Sequence, residues 1–130
     1  MIQAFAPGAI KQITHRVSES DTACFAGEEV HPVYATFAVA REAEWACRQF
    51  VLAMKEPQEE GIGTFVTVEH HSPALVGSEV CFTARLDKVD GHAVICSWEA
   101  HSGPRLVASG RTGQKILPRD RIAQLFDSLR

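Results

Sequence analysis

The chain has 130 residues, 45% of them hydrophobic and 22% charged, which is typical of one globular domain spanning 1–130. Its formal net charge is −3 and its sequence pI is about 6.0, which argues against the strongly basic surface that nucleic-acid backbones select. No stretch has the length of a membrane span and the first ten residues lack a basic leader. We therefore expect a cytoplasmic protein that binds neither nucleic acid nor membrane.

The first third of the chain predicts one strand followed by an irregular stretch. Residues 11–17 alternate, with Ile13, His15 and Val17 on one face, and this alternation predicts a strand. A polar break over residues 18–21 ends the strand. Residues 22–32 show no clear periodicity and are predicted to be irregular.

A long helix is predicted from Thr36 to Met54, with Pro57 ending the segment. Trp45 and Leu52 fall on its polar side, and a helix that is apolar on both sides usually has two neighbours. Residues at intervals of three and four form the main apolar stripe: Val39, Ala40, Ala43, Ala46, Cys47, Phe50 and Met54.

Four consecutive strands with hairpin-length links follow the helix. They are predicted over Thr64–His70, Ser78–Asp87, Ala93–His101 and Arg105–Leu117. Pro118 suits the first position of a short amphipathic C-terminal helix. This order predicts an α+β fold in which one antiparallel sheet curls around the long helix.

Cysteines and histidines show no pattern typical of a metal site. The six histidines lack ligand spacing, so we expect no metal and no cofactor. No C-x-x-C pair is present, and four cysteines are predicted to be buried free thiols: Cys24, Cys47, Cys81 and Cys96.

Three polar residues occupy positions at which a fold could place catalytic side chains, and each also has an ordinary structural explanation. Thr36 precedes the helical run, where threonine often caps a helix. Glu44 borders the apolar stripe, where a solvated side chain or a pair with Arg48 would be usual. Of the adjacent His70 and His71 only one can face inward, and a lone strand histidine is more often structural than catalytic.

Trp45 and Leu52 give Glu44 a second interpretation. If their side of the helix contacts a partner, Glu44 lies in the seam between two buried surfaces, away from bulk solvent. A carboxylate in such a seam is a candidate for catalysis.

Several short strings in the chain carry a family resemblance. The most specific is Glu44-Trp45-Ala46-Cys47 with a threonine eight residues upstream, in Tyr34-Ala35-Thr36-Phe37. The others are Gly63-Thr64, Val68-Glu69-His70, Leu86-Asp87-Lys88-Val89-Asp90-Gly91, Trp98, Ala100-His101 and Ser109-Gly110. Together they resemble the fluoroacetyl-CoA thioesterase-like branch of the hotdog thioesterases over roughly residues 33–117. The resemblance implies a hotdog fold, a curled antiparallel sheet wrapped around one long central helix.

The resemblance also implies an active site and a homodimer with acyl pockets at its interface. The threonine, glutamate and histidine of the family's site match Thr36, Glu44 and His70, and a pocket-lining glycine matches Gly63. Glu44 would act as base or nucleophile, with Thr36 as its hydroxyl partner. His70 would polarise the thioester carbonyl or pass a proton to the departing thiolate.

One departure from the family pattern concerns the substrate. The fluoroacetyl-specific members carry an arginine where Gln114 stands, and the lid segment over residues 22–30 differs in composition. We therefore predict an acyl-CoA thioesterase whose acyl group the sequence does not assign. Phe37, Ala40 and Phe65 are the residues we expect to contact that group.

Two alternatives remain within the hotdog class. A non-catalytic acyl-CoA-binding domain would keep the pocket and lack turnover, although no DNA-binding helix or basic tail supports a regulatory role. A hydratase acting on enoyl thioesters usually pairs an aspartate and a histidine as D-x-x-x-x-H near the helix. We find no such D-x-x-x-x-H arrangement, so this alternative ranks last.

Overall fold

The computed structural model describes residues 1–130, and its main element is a six-stranded antiparallel sheet. The sheet has the order β1-β6-β7-β8-β4, and β5 continues the β4 edge by pairing with β8. Strands β2 and β3 form a separate hairpin. The strands are β1 (Ile10–Arg16), β2 (Thr22–Phe25), β3 (Glu28–Tyr34), β4 (Glu59–Val66), β5 (Glu69–His70), β6 (Glu79–Asp90), β7 (Ala93–Ser102) and β8 (Arg105–Pro118).

Helix α1 (Thr36–Met54) has the predicted bounds and packs on the inner face of the curled sheet. Its predicted apolar stripe is confirmed, except that Ala40 is only half-buried, while Ala38 and Val51 are buried as well. Alternate residues of β6 and β7, including Phe82 and Trp98, form the sheet side of the core. A curled antiparallel half-barrel around one helix confirms the α+β hotdog fold.

The segment 22–32, predicted to be irregular, instead belongs to the β2–β3 hairpin. Ala26 and Gly27 at its turn both have positive φ, 52° and 80°, the backbone conformation of a tight two-residue hairpin turn. Most of the hairpin is exposed, so its strands carry no buried face and no clear alternation of apolar residues. The prediction was wrong because it relied on that alternation.

The strand predicted over Thr64–His70 is also different in the structure. Strand β4 begins earlier, at Glu59, and ends at Val66, and the two-residue β5 follows after Thr67 and Val68. A bulge at Thr64 shifts the pairing of β4 with β8. The chain therefore pairs with the edge of β8 through two separate strands, β4 and β5.

The C-terminal helix α2 (Arg119–Ser128) is confirmed, although Pro118 occupies its N-cap and not its first helical position. No residue of α2 is buried. All four cysteines are free, but only Cys47 and Cys96 are buried, while Cys24 is exposed and Cys81 half-buried. Cys24 lies in the exposed hairpin, which explains the wrong prediction for it. Neither helix combines the length and apolar composition needed to cross a bilayer.

Candidate active site

The first turn of helix α1 lies next to strand β5. Ala35, not Thr36, is the N-cap, and Thr36 is the first helical residue, so the interpretation of Thr36 as a capping residue is wrong. The Thr36 hydroxyl is hydrogen-bonded to Nδ1 of His70, with Oγ1 and Nδ1 3.0 Å apart. Strand β5 and the start of α1 thus bring together two of the three candidate catalytic side chains.

His70 is half-buried, and its Nε2 lies in the interior without a hydrogen-bond partner in the chain. Burial, together with the neighbouring His71, lowers the pKa of His70 below its ordinary value. His71 points the other way, is exposed, and is hydrogen-bonded to the Ser109 hydroxyl through Nε2. Strand alternation therefore directs His70, and not its neighbour, toward Thr36.

Glu44 lies eight residues beyond Thr36 on the same helix, which corresponds to about 12 Å along the axis. Its side chain is exposed in the isolated chain and makes no hydrogen bond or ion pair. The pair with Arg48 is absent, because Arg48 Nη2 instead lies 2.9 Å from Oε1 of Glu60. One chain therefore brings Thr36 and His70 together but does not bring Glu44 to them.

Glu44 opens onto a recess of about 260 Å³ between α1 and the edge of the sheet. Gln114 of β8 pairs in register with Gly63 of β4, and both belong to its walls. Gln114 is 8% exposed, and its side-chain Nε2 is buried without a hydrogen-bond partner. The complete lining is Arg41, Glu44, Trp45, Arg48, Gly61, Gly63 and Gln114.

The two arginines of the recess are each paired with carboxylates of the chain. Arg41 Nη2 lies 2.7 Å from Asp21, and its Nε lies 3.1 Å from Glu42. Arg48 is paired with Glu60, as described above. Glu44 is consequently the only charged group of the recess without an ion-pair partner in the chain.

The three residues expected to contact the acyl group lie outside this recess. Phe37 is exposed and packs edge-to-face on Phe25 of the hairpin, with ring centroids 5.8 Å apart. Ala40 is half-buried one turn before Glu44. The Phe65 ring covers the position where Gly113 lacks a side chain, and Gly113 faces away from Gln114, so Phe65 lies on the opposite face of the sheet. The bulge at Thr64 is the local reason, since it reverses the alternation that the sequence suggests.

An anchor near the start of α1 was missed by the sequence analysis. Asp21 is buried and accepts hydrogen bonds from the Ser18 N–H at 2.8 Å and from Arg41 at 2.7 Å, and its Oδ2 lies 2.8 Å from Nε2 of His15. Burial alone raises the pKa of Asp21, but these hydrogen bonds outweigh it and hold the pKa below its usual range. The sequence signal was the spacing of Ser18 and Asp21, which form a capping box.

No metal-binding cluster and no larger depression contains the candidate catalytic residues. No group of three or more His, Cys, Asp or Glu side chains could hold a metal ion. The expectation that no D-x-x-x-x-H arrangement is present was wrong, since the spacing occurs once, at Asp87 and His92. It lies on the β6–β7 hairpin, away from the long helix, and Asp87 there accepts a hydrogen bond from Ser97. A larger polar depression of about 770 Å³, lined in part by Arg85 and Arg111, contains none of the candidates.

Comparison with known families gives an independent result. The family model described as FlK, fluoroacetyl-CoA-specific thioesterase, matches residues 17–120, most of the chain and all the elements just described from Thr36 to Gln114. The chain belongs to the FlK family. The match confirms the family that the sequence strings indicated.

A curated relative, the fluoroacetyl-CoA thioesterase of Streptantibioticus cattleyicolor, is 33% identical over 89 residues. The match covers 68% of this chain and 64% of that relative, so the chain spans less than two thirds of the relative's length. A thioesterase superfamily member of Thermus thermophilus is 35% identical with a TM-score of 0.93, covering 98% of this chain and 95% of that chain.

A crystal structure of an FlK variant in complex with fluoroacetate and CoA has a TM-score of 0.83. It is 24% identical and covers 91% of this chain and 99% of that chain. This likeness shows the shared hotdog fold.

Proposed function

We propose that the protein is an acyl-CoA thioesterase that hydrolyses an acyl thioester to the free acid and CoA. The main observation that supports this proposal is the hydrogen bond between Thr36 and His70. The family resemblance selected both residues from the sequence alone, before their geometry was known. The FlK family membership supports the reaction class, because its named members act on an acyl-CoA. A third selected residue, Glu44, supplies an unpaired carboxylate at the recess.

The proposed chemistry follows from these three side chains. A thioester carbonyl needs an attacking oxygen and donors where negative charge develops. Glu44 acts on water as a base, or attacks as a nucleophile before water releases the acid. In either route a C–O bond forms, the C–S bond breaks, and the proton from water reaches the CoA thiolate. His70 is neutral near pH 7 because its pKa is lowered, so its ring carries one N–H. Because Nε2 lies in the interior, Nδ1, on the side of Thr36, is the nitrogen that serves the carbonyl or the leaving group.

A homodimer completes the proposal. Within one chain, about 12 Å of helix separates Thr36 from Glu44, so a second copy is needed to place a carboxylate beside the Thr36–His70 pair. Trp45, the residue after Glu44, and Leu52, two turns further along the outer side of the helix, are 47% and 39% exposed. Strand β4 pairs with β8 on one side only and leaves a free edge beside them. These features support an interface at the recess.

A non-catalytic acyl-CoA-binding domain is the second candidate. The observation that favours it is the same separation of Glu44 from Thr36 and His70 within one chain. Such a domain would bind acyl-CoA in the recess and release it unchanged.

The test is a screen of acyl-CoA thioesters with detection of free thiol, run with the wild type and with Glu44→Ala and His70→Ala. We expect at least a hundredfold loss of kcat/KM in each variant. A matched control is Glu69→Ala, which changes the exposed residue beside His70 without touching the proposed site. Equal cleavage by the wild type and both site variants would remove the mechanism. Acyl-CoA binding without turnover would establish the second candidate.

A further inference from the structure

We propose that Gln114 selects the substrate by donating a hydrogen bond to a neutral oxygen on the acyl group, such as a hydroxyl, ether or keto oxygen near the thioester. This inference rests on the proposed function and names its substrate class. The acyl group would enter the recess between α1 and β4 and meet the carboxamide of Gln114.

Gln114 is a buried polar residue whose side-chain N–H group lacks a hydrogen-bond acceptor. It lies on the inner face of β8 between the buried Thr112 and Ile116, and it is 8% exposed. Its side-chain Nε2 has no partner in the chain. A buried amide N–H without an acceptor is unfavourable, so a ligand that accepts this hydrogen bond gains in binding.

Gly63, directly across from Gln114 in the β4–β8 register, leaves the space that such a ligand requires. A Cβ built on Gly63 would have no atom within 4 Å, and its backbone does not have the positive φ that favours glycine. Neither packing nor backbone conformation therefore explains a glycine here. Gly61, two residues earlier, differs, because a Cβ there would lie 2.6 Å from Cγ1 of the buried Val51. Gly63 and Gln114 line the same recess of about 260 Å³, so the open volume at Gly63 is available to an acyl group that reaches Gln114.

Charge in the recess excludes an anionic acyl group. Arg41 and Arg48 are each paired with carboxylates of the chain, so neither is a free cation for a second carboxylate. The unpaired charge is the carboxylate of Glu44, which repels anions at short range. The carboxamide of Gln114 is neutral, and a neutral oxygen on the acyl group is the acceptor that satisfies it without adding charge.

The experiment compares acyl-CoA pairs that differ by an oxygen in place of a CH₂ or CH₃ group. The pairs are hydroxyacetyl-CoA with propionyl-CoA and methoxyacetyl-CoA with butyryl-CoA, with malonyl-CoA as the anionic comparison. Because oxygen also raises the intrinsic reactivity of a thioester, the measured quantity is the ratio of kcat/KM within a pair, compared between the wild type and Gln114→Met. Methionine keeps the length of the side chain and removes the donor.

We expect the oxygen-bearing member to be favoured about tenfold more by the wild type than by Gln114→Met, and malonyl-CoA to be the poorest substrate. An unchanged ratio in Gln114→Met, with turnover intact, would overturn this inference and leave the proposed function standing. Absence of turnover with every thioester would instead refute the proposed function. In that case the dissociation constants of non-hydrolysable thioether analogues of each pair would be compared between the wild type and Gln114→Met. A pair preference that is the same in both proteins would overturn the role of Gln114 in selection.

A second variant, at Gly63, tests the placement of the acyl group even if Gln114→Met fails to fold. Gly63→Ala adds a methyl group to the open volume without touching Gln114. We expect it to lower kcat/KM for butyryl-CoA at least fivefold more than for acetyl-CoA, since only the longer chain needs that volume. Equal effects on the two substrates would place the acyl group elsewhere.

Discussion

Oγ1 of Thr36 lies 3.0 Å from Nδ1 of His70, although 34 residues separate the two in the chain. The contact joins the first turn of the helix to the short strand β5, and it gives the two ring nitrogens different surroundings. Nδ1 shares a proton with the hydroxyl, while Nε2 is buried without a partner in the chain. The ring is therefore held in one orientation before any substrate arrives.

The pKa of His70 is expected to lie below the ordinary 6.5, because burial disfavours the imidazolium and His71 adds repulsion. NMR titration of the ring should show its midpoint below that of a histidine in an unfolded peptide. His71→Gln should raise the pKa but leave it lowered, because burial is the larger cause. A His70 midpoint above 6.5 in the wild type would contradict the burial seen here.

The same pKa shift has a consequence for stability. The unfolded chain takes up a proton near pH 6.5, while the folded chain resists protonation of His70. The contribution of this residue is therefore complete above pH 6.5 and is lost as the pH falls below it. The free energy of unfolding should fall less steeply over this range in His70→Gln than in the wild type.

Mixing two inactive variants tests whether the site is shared between subunits. If Glu44 of one protomer serves Thr36 and His70 of its partner, a heterodimer of Glu44→Ala and His70→Ala contains one intact site. After unfolding and refolding an equal mixture, activity should return to about a quarter of the wild-type value, because half of the dimers are mixed and each has one of two sites. No recovery would show that the residues act within one chain or not at all.

Two glycines of β4 should respond oppositely to the same substitution. In Gly61→Ala the new methyl group would press on Val51, so we expect a loss of about 1–3 kcal/mol in the free energy of unfolding. In Gly63→Ala it would enter open space, and the change should stay within about 0.5 kcal/mol. Denaturant unfolding of both variants measures the difference. Equal losses would mean that a partner or ligand already fills the space at Gly63.

Asp21 should be a strong determinant of stability. Asp21→Asn removes the charge that His15 and Arg41 contact, and we expect a loss on the order of 2 kcal/mol at pH 7. Because the folded pKa of Asp21 is held below the ordinary 3.8, its contribution is complete above that pH and is lost as the pH falls further. Denaturant unfolding at pH 7 and pH 3 should show a smaller pH effect in Asp21→Asn than in the wild type. Glu28→Gln, in the exposed hairpin, is the control.

The sequence was most informative where a pattern reflects burial. Helix α1 and the inward faces of β6 and β7 were predicted because the core selects apolar residues at the spacing of each element. The β2–β3 hairpin and the exposed Cys24 were missed because little of that segment is buried. The orientation of Phe65 could not be predicted, since a single bulged residue reverses which face a strand position occupies.

For the candidate site, the sequence identified residue types but not their grouping. Thr36 and His70 were selected and do meet, through the return of the chain from α1 to β5. The opening at Glu44 and the unmet hydrogen bond of Gln114 depend on the register of β4 with β8, and no sequence pattern encodes that register.

The contrast between Gly61 and Gly63 bears on how this family can diversify. A change at residue 61 would be removed by selection against misfolding, whereas residue 63 borders the recess at little folding cost. With the acyl site proposed above, single replacements at residue 63 would give the descendants of one ancestor different acyl preferences, while the scaffold around the helix stays intact.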